Sequence, residues 1–424
     1  MGCSCGKSTS RCILIIILMI GLMNIWYQCY DIRVKGLLFR LTNITERTLA
    51  ANLSLYDTVT MEKNQKDIEL TYANSTMKQR KVNEDVCKDR INTVAFLKVH
   101  KAGSSTVMNI FLRYGDSHRL NIALPRVPKP KEKSGNWNYL GVDTFLQKKR
   151  LIPIPQNESY SIICNHVVYS KDKFTEILGQ DAVNIGIIRH PASHFLSGVY
   201  YWHVLDIIRK RIKGDNDNER MSKYLKHPDL LKRLMHNRMS FDFGLPVKYF
   251  ENDTAIDEKL KSLDKEFSLI MLLEYFVESL VLMKRILCWN LKDILFIPIN
   301  EYSKEKGNKI KLSPDDIRNL QKYNHADFRL YQYFEKKFMR QLNKTSHNFH
   351  EEVENFKIVQ ETVLVYCKNK TNDQFAEVLI IKETAWNNTF NITVKECKFM
   401  MEGELYLLWR LGKKAENKYH HRKK

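Results

Sequence analysis

The sequence predicts an α/β protein with a central parallel sheet flanked by helices. Three apolar runs are typical of buried strands, and helical spacing of apolar residues follows the first and the third: 94–97, 160–164 and 183–188. Strands that alternate with helices over these lengths indicate a parallel sheet. Ligands of such sheets bind beyond the carboxyl ends of the strands. The residues that follow the three runs are therefore candidates for a functional site.

The composition limits the classes of protein and of ligand. The chain has 424 residues, 44% of them hydrophobic, which is enough for one large domain or two ordinary ones. An excess of 68 Lys+Arg over 48 Asp+Glu gives a formal net charge of +20. Such a charge suits a polyanionic ligand, a nucleic acid or an acidic membrane surface. No nucleic-acid-binding module is recognisable, so nucleic acid is not a predicted partner.

The first 86 residues are predicted to form a membrane anchor and a stem. Residues 12–30 are apolar apart from Asn24 and Gln28, and their number matches the ~20 residues that span a bilayer. A cleaved signal peptide is the alternative, but the apolar run is long and no small-residue cleavage site follows it. We predict a cytoplasmic tail at 1–11, a transmembrane signal-anchor at 12–30 and a lumenal stem at 31–86.

Glycosylation signals indicate which side of the membrane holds the bulk of the chain. Nine Asn-x-Ser/Thr sequons all follow the apolar segment: Asn43, Asn52, Asn74, Asn157, Asn252, Asn343, Asn369, Asn387 and Asn391. Such acceptors are used in the lumen of the secretory pathway, so the sequence predicts a type II single-pass protein. The cysteines of this part are odd in number, so at most two disulfides form among them: Cys87, Cys164, Cys288, Cys367 and Cys397.

The turn after the first strand has the composition of an anion-binding loop. Residues 98–106 contain two Lys, one His, one Gly and three hydroxyl side chains, and helical spacing begins at Val107. Unpaired N–H groups and the helix dipole favour an anion at such a helix N-terminus. The pattern is not the Walker A loop, in which the Lys directly precedes the hydroxyl residue. An ordinary capped helix after a strand is the alternative.

The remaining elements are predicted from local signals. Ser313 before Pro314 marks a helix start, and Asn324-His325 could interrupt that helix. Charged or apolar periodicity predicts other helical segments at 203–235, 267–290 and 402–411. Further β-like runs lie at 294–297, 361–366 and 377–381. Glu274 and Glu278, four residues apart, are predicted to lie on a solvated or salt-bridged helical face.

From about Cys87 to Leu411 the chain resembles the Golgi carbohydrate sulfotransferases, and within them the galactose-3-O-sulfotransferases. Residues 96–106 are similar to the 5′-phosphosulfate-binding loop of these enzymes. Arg189-His190-Pro191 with Ser197 is similar to their 3′-phosphate-binding motif. Further segments narrow the resemblance to the galactose-3-O group: 241–244, 274–280, 287–290, 323–331 and 397–406. Two positions depart from the family pattern, since His190 replaces an Asp and Asn165-His166 replaces a His pair.

The resemblance implies transfer of a sulfuryl group from 3′-phosphoadenylyl sulfate (PAPS) to the 3-hydroxyl of a β-galactose residue on a glycolipid or glycoprotein. It implies these donor-binding residues: Lys98, Lys101, Gly103, Ser104, Ser105, Thr106, Arg189 and Ser197. Lys101 would also stabilise the leaving phosphate. His100 would accept the proton of the sugar hydroxyl, although it could instead orient the loop or bind phosphate. His166 would bind the sugar or be a buried structural residue, and no metal is expected.

The same resemblance implies a P-loop-like sulfotransferase fold and a location in the Golgi membrane. The catalytic domain would span residues 87–340, with a C-terminal extension at 341–412 and a basic tail at 413–424. A disulfide between Cys367 and Cys397 is predicted within the extension. A homodimer is left open.

Three other functions stay open at this point. The first is another Golgi carbohydrate sulfotransferase, such as a uronyl 2-O type. The second is a catalytically silent glycan-binding relative with the same fold. The third is a nucleotide kinase, which the incomplete Walker pattern and the predicted lumenal topology disfavour.

Overall fold

The fold is built on a four-stranded parallel sheet. The computed structural model describes residues 87, 89–128, 136–228, 232–298, 310–345, 347–370 and 377–421. The strands are β1 (Val94–Leu97), β2 (Ile162–Ile163), β3 (Val183–Ile188) and β4 (Leu269–Leu272), in the order β2-β1-β3-β4. Every neighbouring pair is parallel, with Phe96 opposite Ile185 and Ile187 opposite Met271. The predicted α/β class is confirmed.

The helices connect these strands and extend the fold beyond them. Those before β4 are α1 (Ser104–Ser117), α2 (Lys171–Leu178), α3 (Pro191–Tyr201), α4 (Val204–Arg211), α5 (Asp217–Lys226), α6 (Lys232–Met235), α7 (Arg238–Asp242) and α8 (Asp253–Glu266). Those after β4 are α9 (Phe276–Leu287), α10 (Pro314–Tyr323), α11 (His325–Lys344), α12 (His347–Lys370), α13 (Val394–Met401) and α14 (Glu404–His421). A two-stranded antiparallel sheet, β5 (Leu379–Ile381) and β6 (Phe390–Ile392), lies between α12 and α13.

One hydrophobic core joins the sheet to the C-terminal part of the chain. All four residues of β1 and of β4 are buried, as expected for parallel strands that are covered on both faces. The same core includes Phe349 and Phe356 of α12 and Leu408 of α14. The segment 341–412, predicted as an extension, therefore packs into the core of the sheet. A smaller apolar cluster lies among α3, α4, α5 and α10.

Two predicted strands are wrong. Residues 294–297 do not pair with the sheet: Ile294 ends a 3₁₀ turn, Leu291–Ile294, and both backbone polar groups of Phe296 bond to the side chain of Gln360. Residues 361–366 belong to α12. Their β-branched valines favour a strand locally, but the buried positions of this segment recur at helical spacing: Phe349, Val353, Phe356, Val359, Val363 and Cys367.

Two further segments differ from the predictions in where their helices and strands begin and end. The apolar stretch 267–290 holds β4 as well as α9, and a fully buried strand lacks the alternation that would reveal it. The last helix is longer than predicted, because α14 continues through residues 413–421 of the predicted tail. The helix start at Ser313 is confirmed with a capping box, and the helix does break at Asn324.

Two disulfides link distant parts of the chain. The predicted bridge between Cys367 and Cys397 is confirmed and joins α12 to α13. A second bridge joins Cys87 to Cys288, at the end of α9, and leaves Cys164 as a buried thiol. The sequence left this second pairing open.

The predicted tail, anchor and stem at 1–11, 12–30 and 31–86 lie outside the described residues. Among the helices that the structure does describe, none combines the length and apolarity of a membrane span.

Candidate active site

The loop between β1 and α1 is held in a tight, strained conformation. Lys101 and Gly103 both adopt left-handed backbone angles, with φ of 55° and 73°. The positive φ of Gly103 favours glycine, and a Cβ atom there would lie 2.6 Å from Leu273 Cδ1, so that the leucine side chain would have to move. Gly103 caps α1. N–H groups at the start of a helix lack i−4 partners and can bind an anion; in α1, the Thr106 N–H donates to the Gly103 carbonyl over 3.2 Å.

Residues after β3 and β4 meet this loop at the carboxyl edge of the sheet. Arg189 directly follows β3, and its Nη1 donates to the Lys101 carbonyl over 3.4 Å. Glu274 lies in a 3₁₀ turn after β4 and accepts from the His190 N–H over 2.8 Å. It also accepts from Tyr331 Oη. Glu274 is exposed, as predicted, but it lies in the 3₁₀ turn before α9 and not on the α-helix that carries Glu278.

The Lys101 side chain is poised to meet an anion. Its Nζ lies 3.5 Å from the centre of the Tyr201 ring, a cation–π contact. Burial, with the nearby charges of Arg189 and Lys98, lowers the pKa of Lys101 to about 8. An amine in this setting gains from a negative ligand, which would offset the repulsion between the cations.

His100 is oriented by a buried carboxylate. Its Nδ1 lies 2.7 Å from Asp242 Oδ2, and its backbone N–H donates to the same oxygen over 2.9 Å. These contacts favour the tautomer with the proton on Nδ1, which leaves the Nε2 lone pair available as a base. Tyr139 Oη lies 3.3 Å from Nε2. His194 supports the loop from behind, since its Nε2 donates to the His100 carbonyl over 2.8 Å.

Arg238 completes this charge network. Its guanidinium lies 3.0 Å from Asp242 Oδ1 and 2.8 Å from Asp143 Oδ1. Burial alone would raise the pKa of Asp242, but Arg238 and His100 lower it to about 2. Burial lowers the pKa of His100 below its ordinary value of 6.5, against the opposing effect of Asp242. The pair therefore consists of a charged carboxylate and a neutral imidazole near neutral pH.

His166, which follows β2, lies against the His100 ring. The two ring centres are 4.1 Å apart and stacked, and Tyr139 stacks on His166 at 4.7 Å. Both nitrogens of His166 have partners: Nε2 lies 2.7 Å from Lys98 Nζ, and Nδ1 lies 3.1 Å from the Lys98 carbonyl. Burial lowers the pKa of His166 well below its ordinary value, so this ring is neutral.

Two of the predicted donor ligands contact a carboxylate from the end of the chain. Lys98 is 2% exposed, and its Nζ lies 2.9 Å from Glu404 Oε2. Ser105 Oγ donates to the same oxygen over 2.8 Å. The Ser104 hydroxyl donates to the Val99 carbonyl over 2.5 Å and so closes the loop.

The structure thus brings most of the predicted site residues together. Direct contacts join Lys98 and His100 to His166, and a separate contact joins Arg189 to Lys101, the residue after His100. Gly103 and the three hydroxyl residues form the first turn of α1. Ser197 lies half-buried in α3, which begins two residues after Arg189. Within the described ranges, no three His, Cys, Asp or Glu side chains are grouped to hold a metal ion.

Four further residues of this site were not predicted as functional: Asp242, Arg238, Tyr139 and Glu404. Asp242 and Glu404 lie in two of the segments that resemble the family, 241–244 and 397–406, and this resemblance is the sequence feature that could have identified them. Their partners are 142 and 306 residues away along the chain. No local pattern marks a carboxylate for such a contact.

Comparisons with known proteins agree with this geometry. A family model described as galactose-3-O-sulfotransferase matches residues 32–385. Galactosylceramide sulfotransferase of Homo sapiens is 30% identical over 264 residues, which is 60% of this chain and 59% of that protein. Galactose-3-O-sulfotransferase 2 of Mus musculus is 27% identical over 299 residues, or 68% of this chain and 72% of that protein.

The matched region spans about three fifths of the human relative's length. It is the family model that covers most of this chain, including the loop, the Arg189 motif and Asp242. The chain therefore belongs to the galactose-3-O-sulfotransferase family.

Proposed function

We propose that this protein is an enzyme that transfers a sulfuryl group from PAPS to the 3-hydroxyl of a β-galactose residue. The observation that carries the proposal is the His100–Asp242 pair next to Lys101 at the N-terminus of α1. This arrangement places a base and a cation in the same loop as an anion site. Such a site can bind an anionic donor, deprotonate a hydroxyl and stabilise a leaving phosphate.

The donor binds through its two phosphate ends. The backbone N–H groups of Gly103 and Ser104, the Lys101 amine and the Thr106 hydroxyl hold the 5′-phosphate; the Ser104 hydroxyl itself donates to the Val99 carbonyl. Arg189 and Ser197 hold the 3′-phosphate, because a guanidinium fork binds phosphate bidentately. Lys98 and Ser105 stand apart from this set, since both donate to Glu404.

The reaction is a single displacement at sulfur. PAPS supplies the sulfuryl group, and the sulfur–oxygen bond to its phosphate breaks as a bond to the galactose oxygen forms. His100 Nε2 takes the hydroxyl proton, and Asp242 stabilises the imidazolium that results. Lys101 stabilises the charge on the leaving phosphate. The products are adenosine 3′,5′-bisphosphate and a sulfated galactose.

The acceptor binds on the side of Tyr139 and His166. Tyr139 Oη already lies 3.3 Å from His100 Nε2, which is the position that a sugar hydroxyl must approach. Burial raises the pKa of Tyr139 to about 12, so it stays a protonated hydrogen-bond donor. The names of the relatives support a galactose acceptor, carried by a glycolipid or a glycoprotein.

The cellular setting is part of the same proposal. The apolar segment at 12–30 and the sequons after it support a type II membrane protein with a lumenal catalytic domain. The Golgi is the proposed compartment, where such enzymes modify glycans. Two disulfides in the described part of the chain also support this setting, because disulfides form in an oxidising lumen.

The proposed donor site predicts a preference for the 3′-phosphate. By calorimetry, the wild-type protein should bind adenosine 3′,5′-bisphosphate more tightly than adenosine 5′-phosphate. Arg189→Ala should weaken binding of the bisphosphate about 10- to 100-fold, as expected for a lost charged hydrogen bond, and should remove most of the preference. Arg209→Ala, which removes an exposed arginine paired with Asp217, is the control. Equal affinities for the two nucleotides in the wild type would contradict the proposed donor.

A further inference from the structure

Glu404 is the point at which the C-terminal helix touches the proposed donor loop. Its carboxylate accepts from Lys98 Nζ over 2.9 and 3.1 Å, and from Ser105 Oγ over 2.8 Å. Asn138 Nδ2 lies 3.4 Å from Oε1. Only 18% of the Glu404 side chain is exposed. A largely buried carboxylate with three donor groups is a fixed part of the site.

The helix that carries Glu404 is anchored along its length. Leu407, Leu408 and Leu411 are buried in the main core. Lys414 pairs with Asp116 of α1, and Lys418 pairs with Glu158. These contacts hold α14 against α1 and the neighbouring chain, so the position of Glu404 relative to the loop is fixed.

Glu404 also determines which lysine amine is available to bind the sulfuryl donor. Lys98 is buried, and its amine is occupied by Glu404 and by His166 Nε2. A buried ion pair of this kind contributes more to a defined geometry than to net stability. The positive charge for the donor therefore comes from Lys101 and Arg189, and the Lys98–Glu404 pair lies behind them.

We infer that Glu404 is a positioning residue of the proposed reaction: it fixes Lys98 and Ser105, and through them His166 and the first turn of α1. The inference rests on the proposed function for the identity of the reaction. The Lys98 amine joins the carboxylate to His166, whose ring supports the face of His100. Without the carboxylate, Ser105 loses its acceptor and Lys98 is left as an unpaired buried cation.

This role has an electrostatic signature at His100. The ionisable groups that face His100 are Asp242, Arg238, Lys98, His166, His194 and Tyr139. The two other histidines and the tyrosine are neutral near pH 7, because burial lowers the pKa of His166 and His194 and raises that of Tyr139. Lys98 lowers the pKa of His100, and Glu404 compensates part of that charge.

Opposite shifts are therefore expected from the two members of the pair. Glu404→Gln should lower the pKa of His100, because the charge of Lys98 is no longer compensated. Lys98→Met should raise it. The double variant should lie between the two single variants, since it removes both charges. If the Glu404 carboxylate does not hold the Lys98 charge near His100, the Glu404→Gln change will leave the His100 pKa where it is in the wild type.

The experiment is a histidine titration of the full-length chain by NMR, with the His100 resonance assigned from His100→Gln. It needs no catalytic turnover, so a failure of the proposed reaction and a failure of this inference are distinguishable. In the transfer assay, Glu404→Gln should lower kcat about 10- to 100-fold with a smaller change in the donor KM, and Glu404→Asp should recover part of the loss. Glu402→Gln, which removes the charge of another carboxylate in this region, one that pairs with Arg410, is the matched control.

Three outcomes would overturn the inference. The first is an unchanged His100 titration and an unchanged kcat in Glu404→Gln. The second is tighter binding of adenosine 3′,5′-bisphosphate with an undiminished kcat, which would mean that the carboxylate competes with the donor. The third outcome applies if the Glu404→Gln protein does not fold. In that case, a folded double variant, Glu404→Gln with Lys98→Met, that has full activity would show that the pair is dispensable for positioning.

Discussion

Replacing Lys101 with alanine is expected to reduce kcat for sulfuryl transfer about 10³-fold, the loss seen when one preorganised group that stabilises transition-state charge is removed. Lys101 lies in the strained loop, and its carbonyl is held by Arg189. The acceptor KM should change little, because the lysine acts on the donor side. Steady-state kinetics with each substrate varied in turn would measure both effects.

The charge of Lys101 also predicts the alkaline side of the pH profile. Its pKa is lowered to about 8 by burial and by the neighbouring cations. The amine therefore loses its proton as the pH rises through 8, and kcat/KM should fall there, since this parameter reports the free enzyme. Lys101→Arg should move this decline to higher pH, because a guanidinium stays charged.

A matched control is available for the Lys101 variants. Lys248 also lies over a tyrosine ring, that of Tyr249, but in a turn outside the donor loop. Lys248→Ala should retain wild-type kinetics. A Lys101→Ala protein that is folded and has near wild-type kcat would contradict the role given to this residue.

The second large effect is expected at the His100–Asp242 pair. His100→Ala and Asp242→Asn should each lower kcat on the order of 10²- to 10⁴-fold, the range of general acid–base catalysis. Asp242 accepts from both Nδ1 and the backbone N–H of His100. Both bonds end on Oδ2, while Oδ1 pairs with Arg238. An amide has one acceptor oxygen and no charge, so it cannot hold both His100 and Arg238 and cannot stabilise the imidazolium.

The acidic side of the pH profile tests the same pair. In the wild type, kcat/KM should decline only below pH 6.5, because the pKa of His100 is lowered from that value by burial. Asp143→Asn is the control: Asp143 pairs with Arg238, as Asp242 does, but is not a hydrogen-bond partner of the His100 ring. Full activity in a folded His100→Ala protein would mean that the residue only orients the loop.

The sequence predicts those parts of the site whose residues lie close together along the chain. The loop of 98–106 shows itself through a strand, a glycine and clustered hydroxyls, all within a dozen residues. Asp242 and Glu404 could not be found in this way, because a lone carboxylate has no distinctive neighbours. Only the folded chain brings them to His100 and Lys98.

The fold shows the same limit. The buried strands β1 and β3 were predicted because they are bounded by polar turns, and the start of α10 because Ser313 and Pro314 cap it. Residues 361–366 were assigned to a strand because their valines favour one locally. The pairing of Cys87 with Cys288 spans 201 residues and depends on where α9 ends in space.

The central claim is that this chain sulfates O-3 of β-galactose, and the direct measurement is identification of the product. The full-length protein would be incubated with PAPS and a panel of glycolipid and glycoprotein acceptors that end in β-galactose, with uronic-acid acceptors alongside. We expect a sulfate ester on O-3 of galactose, located by mass spectrometry and NMR, and none with His100→Ala or Lys101→Ala. Sulfate on a uronic acid, or no transfer to any acceptor by a protein that binds these glycans, would contradict the claim.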